Sequence, residues 1–235
     1  MNNHDEKIDS NIIDKIKSLK ISTSTIIDIL DGLKSGDVLS HQLLSLNITN
    51  YYTVGQAYTV QWRLVKKGKS ITDKQPSTWE QVRQFLVPEL NSADGLVYVA
   101  GAGDLLKHAA LAGGMSCTYF QKLGFNAIIL GGAVRDISEL RELDIPVIAS
   151  NIIPSDTQGA YCVSETGTSC RIEDNIIHTG DLIISDENGS VVIPFNLIDK
   201  VISEAISISS TENTMLTKIK SGQRLPELIN ETGRI

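Results

Sequence analysis

The chain has 235 residues, 41% hydrophobic and 21% charged, which is the ordinary composition of a globular protein with one well-buried core. A formal net charge of −7 with no basic stripe argues against a nucleic-acid-binding surface, so no nucleic-acid partner is expected. Three cysteines (Cys117, Cys162, Cys170) form neither a paired disulfide framework nor a Cys-x-x-Cys zinc site, and the four histidines are scattered. The amino terminus is polar and acidic without the regions of a signal peptide, and no apolar run approaches membrane-spanning length. A cytoplasmic protein with no membrane partner is expected.

Taken in chain order, residues 1–7 read as frayed. Ile8, Ile12, Ile13, Ile16 and Leu19 keep helical spacing and predict a first helix. Ser22-Thr23-Ser24-Thr25 opens a second, with Thr25 and Asp28 matching a capping box and Gly32 or Gly36 as the expected stop. Residues 53–62 alternate and are rich in β-branched and aromatic side chains, the pattern of a strand. The polar stretch 66–77, with Pro76, reads as a loop, and 78–90 as a helix. Leu96-Val97-Tyr98-Val99-Ala100 is a buried strand ending in the turn Gly101-Ala102-Gly103-Asp104.

A helix over 115–123, a strand over 126–130, a helix over 137–143 and a strand over 146–150 follow. This alternation implies parallel pairing in the middle of the chain. Beyond residue 160 the pattern is β again, over 161–165, 169–173, 175–178, 182–185 and 190–193, with turns between. A last helix runs from about Asn196 towards Ser207, and 207–212 reads as a linker before a final helical piece. The expected division is an N-terminal helical extension (1–21), an α/β domain (22–207) and a C-terminal helical tail (208–235).

Chemistry concentrates in Gly131-Gly132-Ala133-Val134-Arg135-Asp136, between an apolar strand and a helical segment. Ligands of open α/β sheets collect at the carboxyl ends of strands. Glycine admits a ligand close to the backbone, arginine grips a carboxylate with two parallel hydrogen bonds, and aspartate holds a hard divalent cation. The plain alternative is a helix-capping aspartate beside a solvated arginine. Gly113-Gly114-Met115-Ser116 precedes a helix, so its N–H groups form a candidate anion site at the same sheet edge. The plain alternative there is a tight βα turn.

The order of these motifs resembles the RraA-like family, which includes class II 4-hydroxy-4-methyl-2-oxoglutarate aldolases, oxaloacetate decarboxylases and the regulator of ribonuclease E activity. The resemblance runs from about Ser22 to the carboxyl terminus. Besides the two glycine turns it rests on Ser24-Thr25-Ile26-Ile27-Asp28-Ile29-Leu30-Asp31, Val54-Gly55-Gln56-Ala57-Tyr58-Thr59-Val60, Leu140-Arg141-Glu142-Leu143-Asp144-Ile145-Pro146-Val147, Gly180-Asp181-Leu182-Ile183 and Asp186-Glu187-Asn188-Gly189-Ser190. It implies an α/β protein with the β/β/α swivelling-domain fold and mixed sheets, assembled as a homotrimer or hexamer with sites at subunit interfaces.

Carried onto matching positions, the resemblance makes Asp136 the residue that holds Mg²⁺ or Mn²⁺, largely through water. Glu139 becomes the trailing acidic position. Arg135 becomes the clamp on the carboxylate of a small 2-oxo acid, with Gly113, Gly114, Met115 and Ser116 at the same anion. Arg135 and Asp136 are then the catalytic pair of a carbon–carbon lyase. The aldolases carry an acidic residue where this chain has Gly114, and regulator-type members carry glycine. That departure ranks oxaloacetate-type decarboxylation above retro-aldol cleavage. It also keeps open a non-catalytic, protein-binding trimer, or a biosynthetic enzyme using the same enolate chemistry. Many members end a strand with aspartate where this chain has Ala100; Asp104 lies nearby as a substitute.

Smaller candidates have competing readings. His108 is an acid or base, or a packed or surface histidine on a helix. Cys117 reads as a buried structural thiol. Asp156 faces the cleft or forms a turn. Lys66, Lys67, Lys69 and the Trp79 helix shape a substrate pocket or an oligomer contact.

Overall fold

The computed structural model describes residues 8–65 and 78–232, so the expected frayed end (1–7) and polar loop (66–77) lie outside the described residues. Helices α1 (Ser10–Leu19) and α2 (Thr23–Leu33) lead into the short strands β1 (Asp37–Val38) and β2 (Leu44–Ser45), then the long β3 (Thr53–Leu64). A single turn, α3 (Trp79–Val82), passes into a 3₁₀ turn, Arg83–Leu86. Then come β4 (Leu96–Gly101), β5 (Leu106–Ala112), α4 (Gly114–Leu123), β6 (Ala127–Leu130), β7 (Gly132–Val134), α5 (Ile137–Leu140), β8 (Val147–Ala149) and β9 (Asn151–Ile152). The chain closes with β10 (Tyr161–Thr166), β11 (Ser169–Ile172), β12 (Asn175–His178), β13 (Leu182–Asp186), β14 (Gly189–Ile193), the long α6 (Ile198–Lys220) and α7 (Leu225–Thr232).

A nine-stranded mixed sheet in the order β1-β14-β13-β3-β4-β6-β8-β2, with β10 also on β3, forms the body of the molecule. Its centre, β3-β4-β6-β8, is parallel, and its flanks are antiparallel. Both faces are covered, which is why these strands read as continuous apolar runs. On one face Tyr58, Val60, Trp62, Tyr98, Ala100, Ile128 and Leu130 pack with Phe120 of α4, while Val54, Leu182 and Ile184 pack with Ile16, Ile26, Leu30 and Val201 of α1, α2 and α6. On the other, Ala57, Val97, Val99, Ala127 and Ile129 lie under the hairpin β11–β12 through Cys170, Ile172 and Ile177.

The central strands do not simply stop. After Gly131 the chain of β6 continues as β7, after Ser150 that of β8 continues as β9, and a short turn carries β4 into β5. These continuations make a second, three-stranded parallel sheet, β5-β7-β9, which the sequence reading did not separate from the first. The ladder carries across the bends: Gly131 N–H donates to Ala100 O at 2.7 Å, Leu106 N–H to Gly131 O at 3.0 Å and Ser150 N–H to Gly132 O at 2.8 Å.

Several expected elements are corrected. The linker expected at 207–212 is helix: α6 runs through it, because Ile208 and Ser209 are buried and Thr25 Oγ1 donates to Glu212 Oε2 at 3.3 Å. Thr211 Oγ1 also donates to Ser207 O at 3.2 Å, keeping its hydroxyl satisfied inside the helix. The cap of α2 is Ser22, whose hydroxyl accepts from Thr25 N–H, and the helix ends at Lys34 in the left-handed region rather than at either glycine. The helix expected over 78–90 shortens to α3 and the 3₁₀ turn, stopped by Val87 at φ 48° before Pro88. The helix expected over 137–143 is the single turn α5.

Candidate active site at the end of the short sheet

Three chain segments meet beyond the carboxyl edge of β5-β7-β9. Gly113 follows β5, Arg135 follows β7, and Asp156 comes in alongside β5, where Ala110 N–H donates to Ser155 O at 2.8 Å. Arg135 N–H donates to Ala112 O at 3.1 Å, so the backbone under the guanidinium belongs to the sheet rather than to a free loop. The site therefore stands at the end of the second sheet, one strand further on than residue 130, where the apolar run of β6 stops.

Asp136 caps α5 from the left-handed region, at φ 63° and ψ 53°. Aspartate is one of the few non-glycine residues that visit this region at small cost. Its Oδ2 accepts from Gly114 N–H at 3.0 Å and lies 3.6 Å from Arg135 Nε. Arg135 Nη1 donates to Asp156 Oδ2 at 3.3 Å, so the guanidinium sits between two carboxylates while its side chain stays 35% exposed. The Asp156 carboxylate is held in turn by Gln158 N–H, which donates to Oδ1 at 3.0 Å.

The glycine turn is fixed by close approach. A Cβ on Gly113 would stand 2.6 Å from Asp136 Oδ2 and 2.9 Å from Arg135 Cγ. A Cβ on Gly114 would stand 2.7 Å from Glu139 Cβ and 3.2 Å from Asp136 Cβ. At the start of α4, Gly113 N–H donates to Ser116 Oγ at 2.9 Å and Gly114 N–H is taken by Asp136. The N–H groups of Met115 and Ser116 have no acceptor among the described residues and carry the positive end of the ten-residue helix.

A cavity of about 790 Å³ opens beside this edge. Gly113, Met115, Ser116, Arg135, Asp136 and Asp156 line one end. Arg135 and Asp136 therefore do not spend themselves wholly on each other, because both face open space. Two expected site residues do not line it. Gly114 serves by placing the Asp136 carboxylate, and Glu139 is exposed on α5.

The donors fit a hard cation. Asp136 Oδ1 is without a partner among the described residues, and Mg²⁺ is commonly held by one or two carboxylates with water in the remaining positions. No group of three His, Cys, Asp or Glu side chains converges among the described residues, so an all-protein cage is not what these residues build.

Other sequence candidates fall elsewhere. Ala100 is fully buried against the α4 layer. Asp104 does not replace the missing aspartate: it precedes β5 while the site follows it, a strand length of about 20 Å away. His108 is on β5 rather than a helix, exposed and hydrogen-bonded to the Tyr161 hydroxyl at 2.9 Å. Asp156 and Tyr119 line the cavity with the 79–88 segment. The strand β5 (Leu106–Ala112), which forms the floor of the site, was not read from the sequence, where His108 counted as helical.

Cys117 is fully buried in α4, and burial pushes its thiol up to about 12. Burial does the same to Cys170. Neither thiol should react with iodoacetamide in the native protein at pH 8, and both should react once it is unfolded, as read by mass spectrometry. Rapid native labelling of Cys117 would instead make it a reactive group beside the glycine turn.

The fold and this glycine–arginine–aspartate edge define a class, and the chain belongs to it: it is a member of the RraA-like family (aldolase/RraA), whose model matches residues 23–192. The chain is similar to protein DlpA of Legionella pneumophila, 28% identical over 213 residues, covering 89% of this chain and 32% of DlpA. A Deinococcus radiodurans protein provisionally named 4-hydroxy-4-methyl-2-oxoglutarate aldolase is 30% identical over 127 residues, covering 54% of this chain and 76% of that protein. The chain thus spans about a third of the length of DlpA, and 58% of a Methanocaldococcus jannaschii protein matched at 28% identity over 121 residues. Among solved structures, Streptomyces coelicolor RraAS2, described as an unusual member of the RNase ES inhibitor RraA family, superposes with a TM-score of 0.73. It is 20% identical and covers 90% of this chain and 100% of that one, a likeness of fold.

Proposed function

We propose that this chain is a divalent-metal-dependent lyase that breaks a carbon–carbon bond of a 2-oxo acid through an enolate, with oxaloacetate-type decarboxylation favoured over retro-aldol cleavage. The observation that carries this reading is the convergence of Arg135, Asp136 and the acceptor-free amides of Met115 and Ser116 on one end of one cavity. Arg135 and the two amides hold the substrate carboxylate beside the 2-oxo group, fixing the orientation of the bond to be broken. Asp156 steadies Arg135 from the side opposite Asp136. Asp136 holds Mg²⁺ or Mn²⁺, with Glu139 orienting bound water, and the ion when bound supplies Lewis acidity at the carbonyl oxygen. The positive charge of Arg135 and the α4 amides favours the enolate that forms as carbon dioxide leaves. A proton added at carbon then completes the reaction.

The choice of decarboxylation follows from Gly114. Retro-aldol cleavage needs a base to take the proton of the hydroxyl group, whereas loss of carbon dioxide needs none. An acidic side chain at 114 has no room beside Glu139. The relative named as an aldolase supports a lyase, and RraA relatives include regulators, so a second reading stands: a protein-binding homotrimer or hexamer without turnover. It is favoured by Met115, 88% exposed beside the exposed Tyr119.

Purified protein with Mg²⁺ or Mn²⁺ is expected to release pyruvate from oxaloacetate above the spontaneous rate. Asp136→Asn is the informative variant, because asparagine also tolerates the left-handed backbone and its side-chain oxygen still accepts from Gly114 N–H. Folding should survive, while Mn²⁺ affinity measured by electron paramagnetic resonance drops at least about tenfold and turnover is lost. No pyruvate from any 2-oxo diacid, together with a stoichiometric protein partner, would establish the regulator instead.

A further inference from the structure

The cavity is far larger than a small 2-oxo diacid, and its two ends differ in character. At about 790 Å³ it lies in the range of roughly 300–1,000 Å³ that holds drug-sized ligands. The charged end is the site already described. Away from it the wall is mostly apolar: Trp79, Val82, Phe85, Leu86, Leu111 and Tyr119.

This wall is built into the fold. Phe85 packs on Trp62 with ring centroids 5.6 Å apart and on Phe120 at 6.3 Å, and Tyr119 packs on Phe120 at 6.0 Å. Leu111 and Val82 are buried core residues. Trp79, at the outer rim, is 52% exposed and Tyr119 40% exposed. Large apolar side chains at that exposure have a cost that an apolar ligand would relieve. The charged groups within the wall are accounted for: Arg83 pairs with Glu80 at 3.1 Å.

We infer that the substrate is an oxaloacetate-type 2-oxo diacid bearing a bulky alkyl or aromatic substituent, with the carboxylate beside the 2-oxo group on Arg135, the other carboxylate lost as carbon dioxide, and the apolar group along the Trp79–Leu86 wall. The inference rests on the proposed function for the acid end only. Area removed from water then contributes to binding independently of the charge contacts, and it does so in proportion to tail size.

The test uses the 235-residue chain with Mg²⁺ and three probes that mimic the enolate: oxamate, N-butyl oxamate and N-benzyl oxamate, with dissociation constants from calorimetry. Affinity should rise with the tail, approaching about fourfold per buried methylene. Trp79→Ala and Tyr119→Ala, both at exposed positions, should each remove a large part of that gain. Arg135→Ala should weaken all three probes alike.

Equal affinity for the three probes overturns the inference while leaving the acid site intact if Arg135→Ala still weakens oxamate. A tail-dependent gain that Arg135→Ala does not touch means the apolar wall is real and the acid end wrong. Equal affinities combined with a change of oligomeric state in Trp79→Ala, read by sedimentation, would assign the wall to a second copy of the chain and end the proposal.

Discussion

Arg135→Ala is expected to lower kcat/KM for the 2-oxo acid about a hundredfold, with a higher KM from the lost carboxylate contact and a lower kcat from the lost charge beside the enolate. Truncating one partner of a hydrogen-bonded charge pair costs roughly 2–5 kcal/mol, and the lower half of that range applies here because the side chain is 35% exposed and partly screened. The loss has two sources. The carboxylate of the substrate loses its fork of donors, and Asp136 and Asp156 are left facing it without the cation between them. Arg135→Lys should recover only part, since a lysine is a point charge that cannot offer parallel bonds. Stability should change little, because exposed pairs of this kind contribute at most about 1 kcal/mol. Steady-state kinetics and a thermal melt on the same preparations separate the two effects. A variant with wild-type kcat/KM would remove Arg135 from the reaction.

Gly114→Asp is the second large effect, and it acts on the fold. The new Cβ would press on Glu139 Cβ at 2.7 Å and Asp136 Cβ at 3.2 Å. Both neighbours belong to one tight turn that cannot retreat: Asp136 is held in the left-handed region, and Leu140 at the other end is fully buried. Overpacking against such a wall costs about 1–3 kcal/mol, a fall of several degrees in Tm for a chain of this length. The variant restores the acidic residue of the aldolases, yet it should gain no retro-aldol activity, because accommodating it displaces the Asp136 carboxylate that we propose as the holder of the ion. Gly32 in α2 is the control, with open space around it. Gly32→Ala should stabilise by up to about 1 kcal/mol. If Gly114→Asp melted like the parent and cleaved an aldol substrate, the close approach described here would be wrong.

Much of the architecture was legible because both faces of the main sheet are buried, which turns β4, β6 and β8 into unbroken apolar runs at the spacing of strand–helix–strand units. The glycine–arginine–aspartate segment stood out as a candidate, although a capping aspartate beside a solvated arginine was an equally available reading and Asp136 does stand at the cap of α5. What stayed hidden has physical reasons. β7 and β9 have three and two residues, too few for any period to declare itself. The helix through Ser207–Glu212 looks like a linker because its polar residues have poor intrinsic propensity, and only packing on α2 overrides that. Asp156 lies in a segment whose pairing with Ala110 is a single bridge, and nothing local marks it as Arg135's partner. Glu139 fits the motif by spacing and lies against Gly114, but it is exposed and does not line the cavity.

The bends at Gly131 and Ser150 divide labour along single strands. The first half of each crossing is spent on the hydrophobic interior, and the second half carries the groups that meet solvent and ligand. Only the residues beyond the strand ends are free to change, because Leu106, Leu111, Ala112 and Val134 of the outer halves are buried in the same interior as the inner halves. Such a plan lets one durable body host different chemistries, or none, by altering a few residues past the joint.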